Sequence, residues 1–441
     1  MSAPSAPPAT GRLLRVLGVG FGVAVTVGNT IGAGILRTAG DVAAQLPHPG
    51  LFLAVWVLGG LYALMAAFSF AELGTLIPRS GGHYVFAHRA LGEYPGFVIG
   101  WSDWLSNAGS SAAVSIVIGE YSGLLFPPLA PFSTWIACGV VVGFAVLQWR
   151  GIRTGSRTQN ISSLVKALAL LALVAACFFS SARAADTLAS PPVPHGAQLL
   201  IAFIFALQAV IYTYDGWAGI IYFSEETTDP QRDVPRSMFI GTLSVIAIYV
   251  LLSAATIKIL PISAIAGNKL ALGTAAKLIW GTHGDTVLQA VLIVTMLSAI
   301  NAYQLMTCRI IYSMSVDGLF TKRAAHVNAG GTPDFALLIS TVVAVLFILT
   351  GTFNQVIAVM AFFFVCNYIA GLTSLFVMRH REPDRVRTFR AWGYPWTTGI
   401  ALAAYSLFLV GAIWSDRRNS AYSLLLLAAS YPIYRLFKKI Y

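Results

Sequence analysis

The chain has 441 residues, of which 57% are hydrophobic and only 10% are charged, and its mean hydropathy is +0.74. Soluble globular domains carry about 25% charged residues, so this composition excludes a water-soluble fold and indicates an integral membrane protein. The net charge of +11 does not indicate nucleic-acid binding, because most basic residues lie in alternate connections between apolar segments.

Apolar runs long enough to cross a bilayer as helices, which takes about 20 residues, occupy most of the chain. Residues 1–15 precede them, and we expect a disordered cytoplasmic N-terminus there. The connections leave no room for a water-soluble domain. The twelve predicted spans cover residues 16–46, 50–77, 95–126, 131–149, 158–182, 198–225, 236–260, 286–316, 333–351, 355–379, 394–414 and 421–438.

The basic residues are divided unequally between the two sides of these spans. Connections on the side of the N-terminus contain twenty Lys and Arg residues, and those on the opposite side contain six. Short cytoplasmic loops carry such an excess, so both termini, including residues 439–441, are predicted to be cytoplasmic. We expect a multi-pass protein of the inner (cytoplasmic) membrane of the cell. Acidic residues near the cytoplasmic surface are expected to pair with nearby arginines: Glu72, Glu225 and Glu226 with Arg79, Arg232 or Arg236.

The first span contains "VTVGNTIGAGIL" at residues 25–36, with three glycines and two polar side chains inside an apolar run. Each glycine costs about 1 kcal/mol relative to alanine in a helix. One explanation is close helix packing, because Gly28 and Gly32 form a small-xxx-small face. The other is a broken helix whose backbone lines a cavity. We favour the break, because Asn29 and Thr30 exceed what one packing face requires.

Polar residues also occur within the third span. Asn107 and Ser110 are candidates for contacts to a substrate side chain. Asp103 is more simply explained by local hydrogen bonds to neighbouring side chains.

The sixth span contains a second interruption, "IYTYDGWAGI", at residues 211–220. Asp215 is costly at the bilayer centre and is expected to face a polar interior, either at a substrate or bonded to backbone amides. Interruptions in corresponding spans of two halves indicate an inverted-repeat transporter with a midplane site. We predict an all-α membrane protein with a 5+5 inverted repeat and two additional helices. Its parts are a first repeat at 16–182, an extracellular loop at 183–197, a second repeat at 198–379, a cytoplasmic loop at 380–393, and helices 11 and 12 at 394–438.

The two interruptions predict complementary chemistry. The half-helix that follows the first break presents free N–H groups and a positive dipole end, which suit a carboxylate. Unpaired carbonyls just upstream, and those of residues 212–215, suit an ammonium group. Together they fit an α-amino acid.

At this point four segments resemble the amino acid–polyamine–organocation superfamily. "GNTIGAGI" resembles its first-helix signature, and "YDGWAGIIYFSEETTDPQRDVPRSM" its sixth-helix break and following loop. "FSFAELGTLIPRSGGHYVFAHRALGEYPGFVIGW" and "CRIIYSMSVDGLF" resemble its second-to-third and eighth spans. The Tyr-Asp-Gly-Trp form is most similar to the L-type exchangers and their bacterial relatives.

The resemblance implies roles for individual residues. The amides of Ala33 and Gly34 would bind the substrate carboxylate with Gly32 as the hinge, although many relatives have serine at the position of Ala33. Carbonyls near Thr30, and those of Tyr212 and Asp215, would bind the amino group, and Tyr212 would also form a gate. The expected substrate-binding set is Thr30, Ile31, Gly32, Ala33, Gly34, Asn107, Ser110, Tyr212, Asp215 and Gly216.

Lys166 in the fifth span matches a lysine of sodium-independent relatives, where the ammonium lies near the position of sodium in sodium-coupled cousins. The resemblance therefore implies a gating or coupling role for Lys166. The alternative is a side chain that extends to the cytoplasmic surface.

We therefore predict a sodium-independent secondary transporter that moves neutral L-amino acids by alternating access, as an exchanger. The alternative is a proton-coupled importer of cationic amino acids or polyamines. We expect neither catalysis nor a cofactor or metal, and a channel or membrane enzyme is disfavoured. The external loop at 125–133 contains no cysteine, so no disulfide-linked heavy chain is expected; the partners are substrate and membrane lipid.

Overall fold

The computed structural model describes residues 11–32, 34–186, 192–351 and 353–440. Within these ranges the chain forms α-helices joined by turns and short 3₁₀ segments. The helices are α1 Val19–Thr30, α2 Gly34–Gln45, α3 Pro49–Leu76, α4 His83–Leu91, α5 Glu93–Leu125, α6 Ser133–Trp149, α7 Ile152–Phe179, α8 Ala197–Thr213, α9 Pro230–Ile259, α10 Ile262–Ile265, α11 Ala271–Trp280, α12 Gly284–Val316, α13 Asp334–Thr350, α14 Phe353–Arg381, α15 Trp396–Ser415, α16 Arg417–Ala428 and α17 Ser430–Ile440.

The helices have the length and composition of a multi-pass membrane protein. Seven helical stretches among the described residues are long and apolar enough to cross a membrane, and the bent pair α1 and α2 forms an eighth. Helices α8 and α13 are apolar but shorter, with 17 residues each. Each apolar run noted in the sequence contains helix.

The helix boundaries differ from the predicted spans at several points. Helix α7 begins at Ile152, ahead of the predicted start, because arginine is a good helix former and Arg153 and Arg157 continue the helix. The sixth run is α-helical only as far as Thr213, and the last run is divided at Ala429. Helices α4 and α11 were not predicted, since only one face of each is apolar.

Helix α5 lies at the centre of the bundle, where it packs against α12, α14, α4, α6 and α13. Helix α1 packs against α9 and α7, while α3 packs against α9 and α8. The two helices that contain the interruptions therefore lie among other helices.

The end of the bundle that carries α4, here called the α4 end, is held by buried charge. The guanidinium of Arg309 on α12 donates to both carboxylate oxygens of Glu226, at 2.7 and 3.0 Å, and neither side chain is exposed. The backbone oxygen of Glu226 accepts from the amides of Val16 and Leu17, which fixes the start of α1. Burial raises the pKa of Glu226, while Arg309 opposes the shift.

These contacts correct three expectations. Glu226 pairs with Arg309 and not with Arg79, Arg232 or Arg236. Arg309 is one of the twenty basic residues assigned to connections on the side of the N-terminus, but it lies inside α12. Glu72 does not pair with arginines close in sequence. It accepts hydrogen bonds from the guanidinium of Arg379, at 2.6 Å, and forms an ion pair with that of Arg387, at 3.1 Å. The sequence could not show that α14 and the segment after it bring these distant arginines to α3.

Candidate functional site

The first helix is interrupted as the glycines predict. Helix α1 ends at Thr30, α2 begins at Gly34, and the two axes differ by 51°. Ile31 has an extended backbone, with φ −80° and ψ 100°. An interruption leaves carbonyls at the end of one helix and amides at the start of the next without intrahelical partners.

The carbonyls at the end of α1 receive a buried lysine. The ammonium of Lys166, on α7, donates to the backbone oxygens of Gly28, at 2.7 Å, and Ile31, at 2.6 Å. The side chain is fully buried, so it does not extend to the surface. The amino group of Lys166 therefore joins α7 to the first interruption.

Close packing also explains part of the glycine pattern. A Cβ at Gly28 would lie 2.0 Å from Nε2 of Gln159 and 2.8 Å from Oγ of Ser163. Both of these side chains, which lie on α7, donate to the backbone oxygen of Ala24. Close packing thus explains Gly28, whereas the break explains the part of the motif that follows Thr30.

The second interruption follows α8 and touches the first. After Thr213 the chain turns and resumes as a 3₁₀ segment at Gly219–Phe223. Gly216 has φ +113°, and a Cβ there would lie 2.8 Å from the backbone nitrogen of Thr30. The side-chain amide of Asn29 donates to the oxygen of Gly216 at 3.1 Å. The two unwound segments are thus in direct backbone contact.

A tyrosine on α9 joins the two interruptions. The hydroxyl of Tyr249 lies 2.9 Å from the backbone oxygen of Thr30 and 3.2 Å from that of Thr213. A phenol has one hydrogen, so it can donate fully to only one of these carbonyls at a time. The other carbonyl oxygen keeps capacity for a second donor, such as an ammonium group.

Tyr212 and Asp215 line a small cavity beside the second interruption. The cavity measures about 10 Å³ and is bounded on its other side by aromatic residues of α14 and α15, including Tyr368 and Tyr405. Tyr368 lies beside Asp215, whose Oδ1 has no hydrogen-bond partner among the described residues. The space admits about one water molecule, so this cavity is too small to hold an amino acid.

The predicted third-span residues lie in two different surroundings. The amide of Asn107 donates to the backbone oxygen and carboxylate of Asp103, at 2.8 and 3.0 Å, within α5. Ser110 lies near Tyr303 on α12, which is close enough to Asp215 and Tyr212 to interact electrostatically with both. Ser110 therefore points toward the second interruption, whereas the Asn107 amide is engaged elsewhere.

The remaining predicted residues lie at the first interruption. Gly32 and Gly34 flank Ala33, which falls outside the described residues. A Cβ at Gly34 would lie 3.3 Å from Cγ2 of Thr213, so α2 begins next to the end of α8. The structure therefore brings Thr30, Ile31, Gly34 and Gly216 together as expected.

Sequence reasoning did not identify three tyrosines that belong to this region: Tyr249, Tyr303 and Tyr368. Each occurs in an apolar run without a neighbouring motif. The available signal was their hydroxyls, since a buried tyrosine usually requires a hydrogen-bond partner. That signal does not reveal which distant element supplies the partner.

Comparison with known proteins matches nearly the whole chain. The sequence model of the family described as "Amino acid permease" matches residues 20–434. The serine/threonine exchanger SteT of Bacillus subtilis is 24% identical over 432 residues, which cover 97% of this chain and 98% of that protein.

Two mammalian transporters have a similar percentage of identical residues. The b(0,+)-type amino acid transporter 1 of Homo sapiens is 26% identical over 424 residues, covering 93% of this chain and 84% of the transporter. The Asc-type amino acid transporter 1 of Mus musculus is 27% identical over 385 residues, covering 84% and 72%.

Proposed function

The chain belongs to the amino acid permease family, and we propose that it exchanges neutral L-amino acids across the cytoplasmic membrane by alternating access, without sodium and without chemical conversion. The observation that carries this proposal is the direct contact between the two interruptions, in which Gly216 lies against the backbone of Asn29 and Thr30. Serine and threonine, the substrates in the name of SteT, are small and neutral.

The proposed substrate position follows from the free backbone groups. The start of α2 offers amides and a positive dipole end, which suit the substrate carboxylate. The carbonyls of Thr30 and Thr213 share one tyrosine hydroxyl, so a substrate ammonium can supply the missing donor. We place the substrate between these groups, where Gly32, Ala33 and Gly34 would contact its carboxylate.

The absence of a sodium requirement is proposed from Lys166. Its ammonium binds two backbone carbonyls of the first interruption, and carbonyl oxygens are the ligands that hard cations also use. A cation built into the chain would make a dissolved ion at this position unnecessary. The same contact gives Lys166 a coupling role, because it joins α7 to the interruption.

Neutral side-chain selectivity is proposed from the surroundings of the interruptions, where Ser110 and tyrosines predominate over charged groups. One observation favours the alternative of a cationic substrate. The unpartnered Oδ1 of Asp215 could pair with a positively charged side chain. We place Asp215 nearer the amino group, as the family resemblance implies.

The remaining arrangement is part of the same proposal. We propose twelve crossings in a 5+5 inverted repeat, with α15 to α17 added after it. The excess of basic residues in these connections supports a cytoplasmic position for the α4 end. The loop at 125–133 contains no cysteine, so we propose that no disulfide-linked partner is required.

Counterflow in proteoliposomes tests the proposal. Purified protein is reconstituted in sodium-free buffer, vesicles are loaded with unlabelled serine, and uptake of trace labelled serine is followed with a competition panel of all common amino acids. The proposal predicts transient accumulation of label that neutral amino acids abolish. Protein-free vesicles and a Lys166→Ala variant serve as controls.

Two results would contradict the proposal. Competition by arginine or putrescine alone would favour the cationic alternative. A current without counterflow would indicate a channel.

A further inference from the structure

A buried carboxyl group in α5 is not used by the proposed substrate site. Asp103 is completely buried, and the hydroxyl of Tyr222 donates to its Oδ1 at 2.8 Å. The side-chain amides of Asn107, at 3.0 Å, and Asn367, at 3.4 Å, approach the same oxygen. All three of these partners are neutral.

The second oxygen of this carboxyl group lacks a partner. Among the residues that the structure describes, none forms a hydrogen bond with Oδ2 of Asp103, although the backbone amide of His83 faces the group. Half of a buried carboxyl group is therefore unsatisfied. Buried polar atoms usually have partners, so an unpaired oxygen indicates a species that the side chains do not supply.

The charged groups of the packed elements do not compensate Asp103. On α12, Arg309 is bound to Glu226, and Asp317, just after α12, is bound to Arg79. Asp215, at the second interruption, acts on Asp103 with the same sign of charge. Within the part of the chain that the structure describes, an ionised Asp103 is therefore left without a counter-ion.

The other titratable groups nearby are aromatic. The imidazole of His83, on α4, lies between the rings of Tyr222 and Tyr368, with ring centroids 6.0 and 5.0 Å apart. Tyr368, on α14, lies beside Asp215. On α13, the hydroxyl of Ser340 is neutral and accepts from Trp104. A buried charge without a partner is strongly unfavourable, and such a group takes up a proton instead.

We propose that Asp103 is a proton-binding site and that the loaded transporter changes conformation only when this carboxyl group is protonated. The proposal rests on the function proposed above. In this proposal one proton accompanies each conformational change of the substrate-loaded transporter. It also assigns the binding site of that proton to α5, apart from Lys166 and the substrate.

The coupling follows from the elements that Asp103 joins. Tyr222 belongs to the 3₁₀ segment after the second interruption, whereas Asn367 belongs to α14. In the closed arrangement both pack against the carboxyl group, and only its neutral form is compatible with this burial. When the α4 end opens and these partners separate, water can stabilise the ionised form. Each return to the closed state then takes up one proton.

The test is the pH dependence of serine counterflow, measured at equal pH on both sides of the vesicle. For the unmodified protein, the rate should fall by about tenfold per pH unit above the midpoint, because one proton is required. In Asp103→Asn the side chain cannot ionise, so the ratio of rates at low and high pH should approach one. A change of conformation alone would not remove the pH dependence.

Further variants distinguish this site from its neighbours. Tyr222→Phe removes a donor that favours the ionised carboxylate, so the midpoint should move to higher pH. His83→Gln should keep a pH dependence if Asp103 is the titrating group. Ser115→Ala removes a hydroxyl that donates to the backbone oxygen of Ser111 in its own helix. This variant is the matched control on α5 and should behave as the unmodified protein.

The outcomes separate this proposal from the proposed function. Counterflow that does not change with pH in the unmodified protein would overturn the proton site and leave amino acid exchange intact. The same holds if Asp103→Asn keeps its pH dependence. If Asp103→Asn does not fold, an unmoved midpoint in Tyr222→Phe would overturn the proposal. No counterflow of any amino acid would instead contradict the proposed function.

Discussion

The two interruptions satisfy their free backbone carbonyls in different ways. At the first, a buried ammonium from Lys166 binds the oxygens of Gly28 and Ile31. At the second, neutral groups are used, since Asn29 donates to Gly216 and Tyr249 approaches Thr213. The side chain of Lys166 thus holds two carbonyls of the first interruption, whereas one tyrosine hydroxyl is shared between Thr30 and Thr213. We therefore expect a substrate to displace the Tyr249 hydrogen bond rather than the contacts of Lys166.

Removal of the Lys166 side chain gives the largest expected effect. Lys166→Ala leaves two buried carbonyl oxygens unpaired, and each costs about 1–3 kcal/mol. We expect a lower melting temperature in detergent and at least a tenfold loss of counterflow. Lys277→Ala, which removes an exposed pair with Asp285, is the control and should have little effect. Normal counterflow in Lys166→Ala would remove its coupling role.

The contact between the interruptions is tested by Gly216→Ala. The added Cβ would approach the backbone of Asn29 and Thr30 within 3 Å, at a φ of +113°. Overpacking of this kind costs about 1–3 kcal/mol, and the left-handed backbone adds further strain. Gly139→Ala, on α6, meets no atom within 4 Å and is the matched control. Equal thermal stability of the two variants would contradict the observed contact.

The hydrogen bond that Tyr249 donates to Thr30 or Thr213 is tested by Tyr249→Phe. Loss of one hydroxyl costs about 1 kcal/mol as a hydrogen bond, and more if a carbonyl remains unpaired. Tyr62→Phe removes a comparable bond, to Ala401 at 3.0 Å, and leaves the bonds to Thr30 and Thr213 in place. We expect both variants to lose similar stability, but only Tyr249→Phe to change the half-saturating concentration of serine. An equal change in both would reduce Tyr249 to a structural role.

The smallest effect expected at neutral pH is that of His83, whose contribution to stability changes only in acid. Burial lowers the pKa of His83 to about 3, from its ordinary value of 6.5. Its stabilising contribution is complete above pH 6.5 and is lost as the pH falls toward 3, by up to about 1.4 kcal/mol per pH unit. The melting temperature should therefore fall below about pH 6.5, and His83→Gln should reduce the slope. If the dependence of melting temperature on pH is unchanged in His83→Gln, groups other than His83 cause it.

The sequence predicted the interruptions because their cause is local. Glycine lowers helix stability wherever it occurs, so Gly32, Gly34 and Gly216 were visible without the fold. The apolar runs were equally visible, since burial in lipid requires a minimum length. Helix α4 was missed because amphipathic segments resemble loops in an average over all faces.

The partners at the interruptions could not be predicted from the residues alone. Tyr249 contacts Thr30 across more than two hundred residues, and the pairing depends on how α9 packs against α1. The predicted ion pairs of Glu72 were wrong for the same reason. Glu72 pairs with Arg379 and Arg387 and not with Arg79, Arg232 or Arg236. Lys166 was identified through a family resemblance, and its two carbonyl contacts required the structure.

The most direct test of the account is an experimental structure of the protein with a bound neutral amino acid such as serine. The carboxylate of the bound serine should lie at the amides that begin α2. Its ammonium group should lie within hydrogen-bond distance of the carbonyl of Thr30 or of residues 212–215. Lys166 should still bind Gly28 and Ile31. A continuous helix through either interruption, or serine bound away from both, would contradict the account.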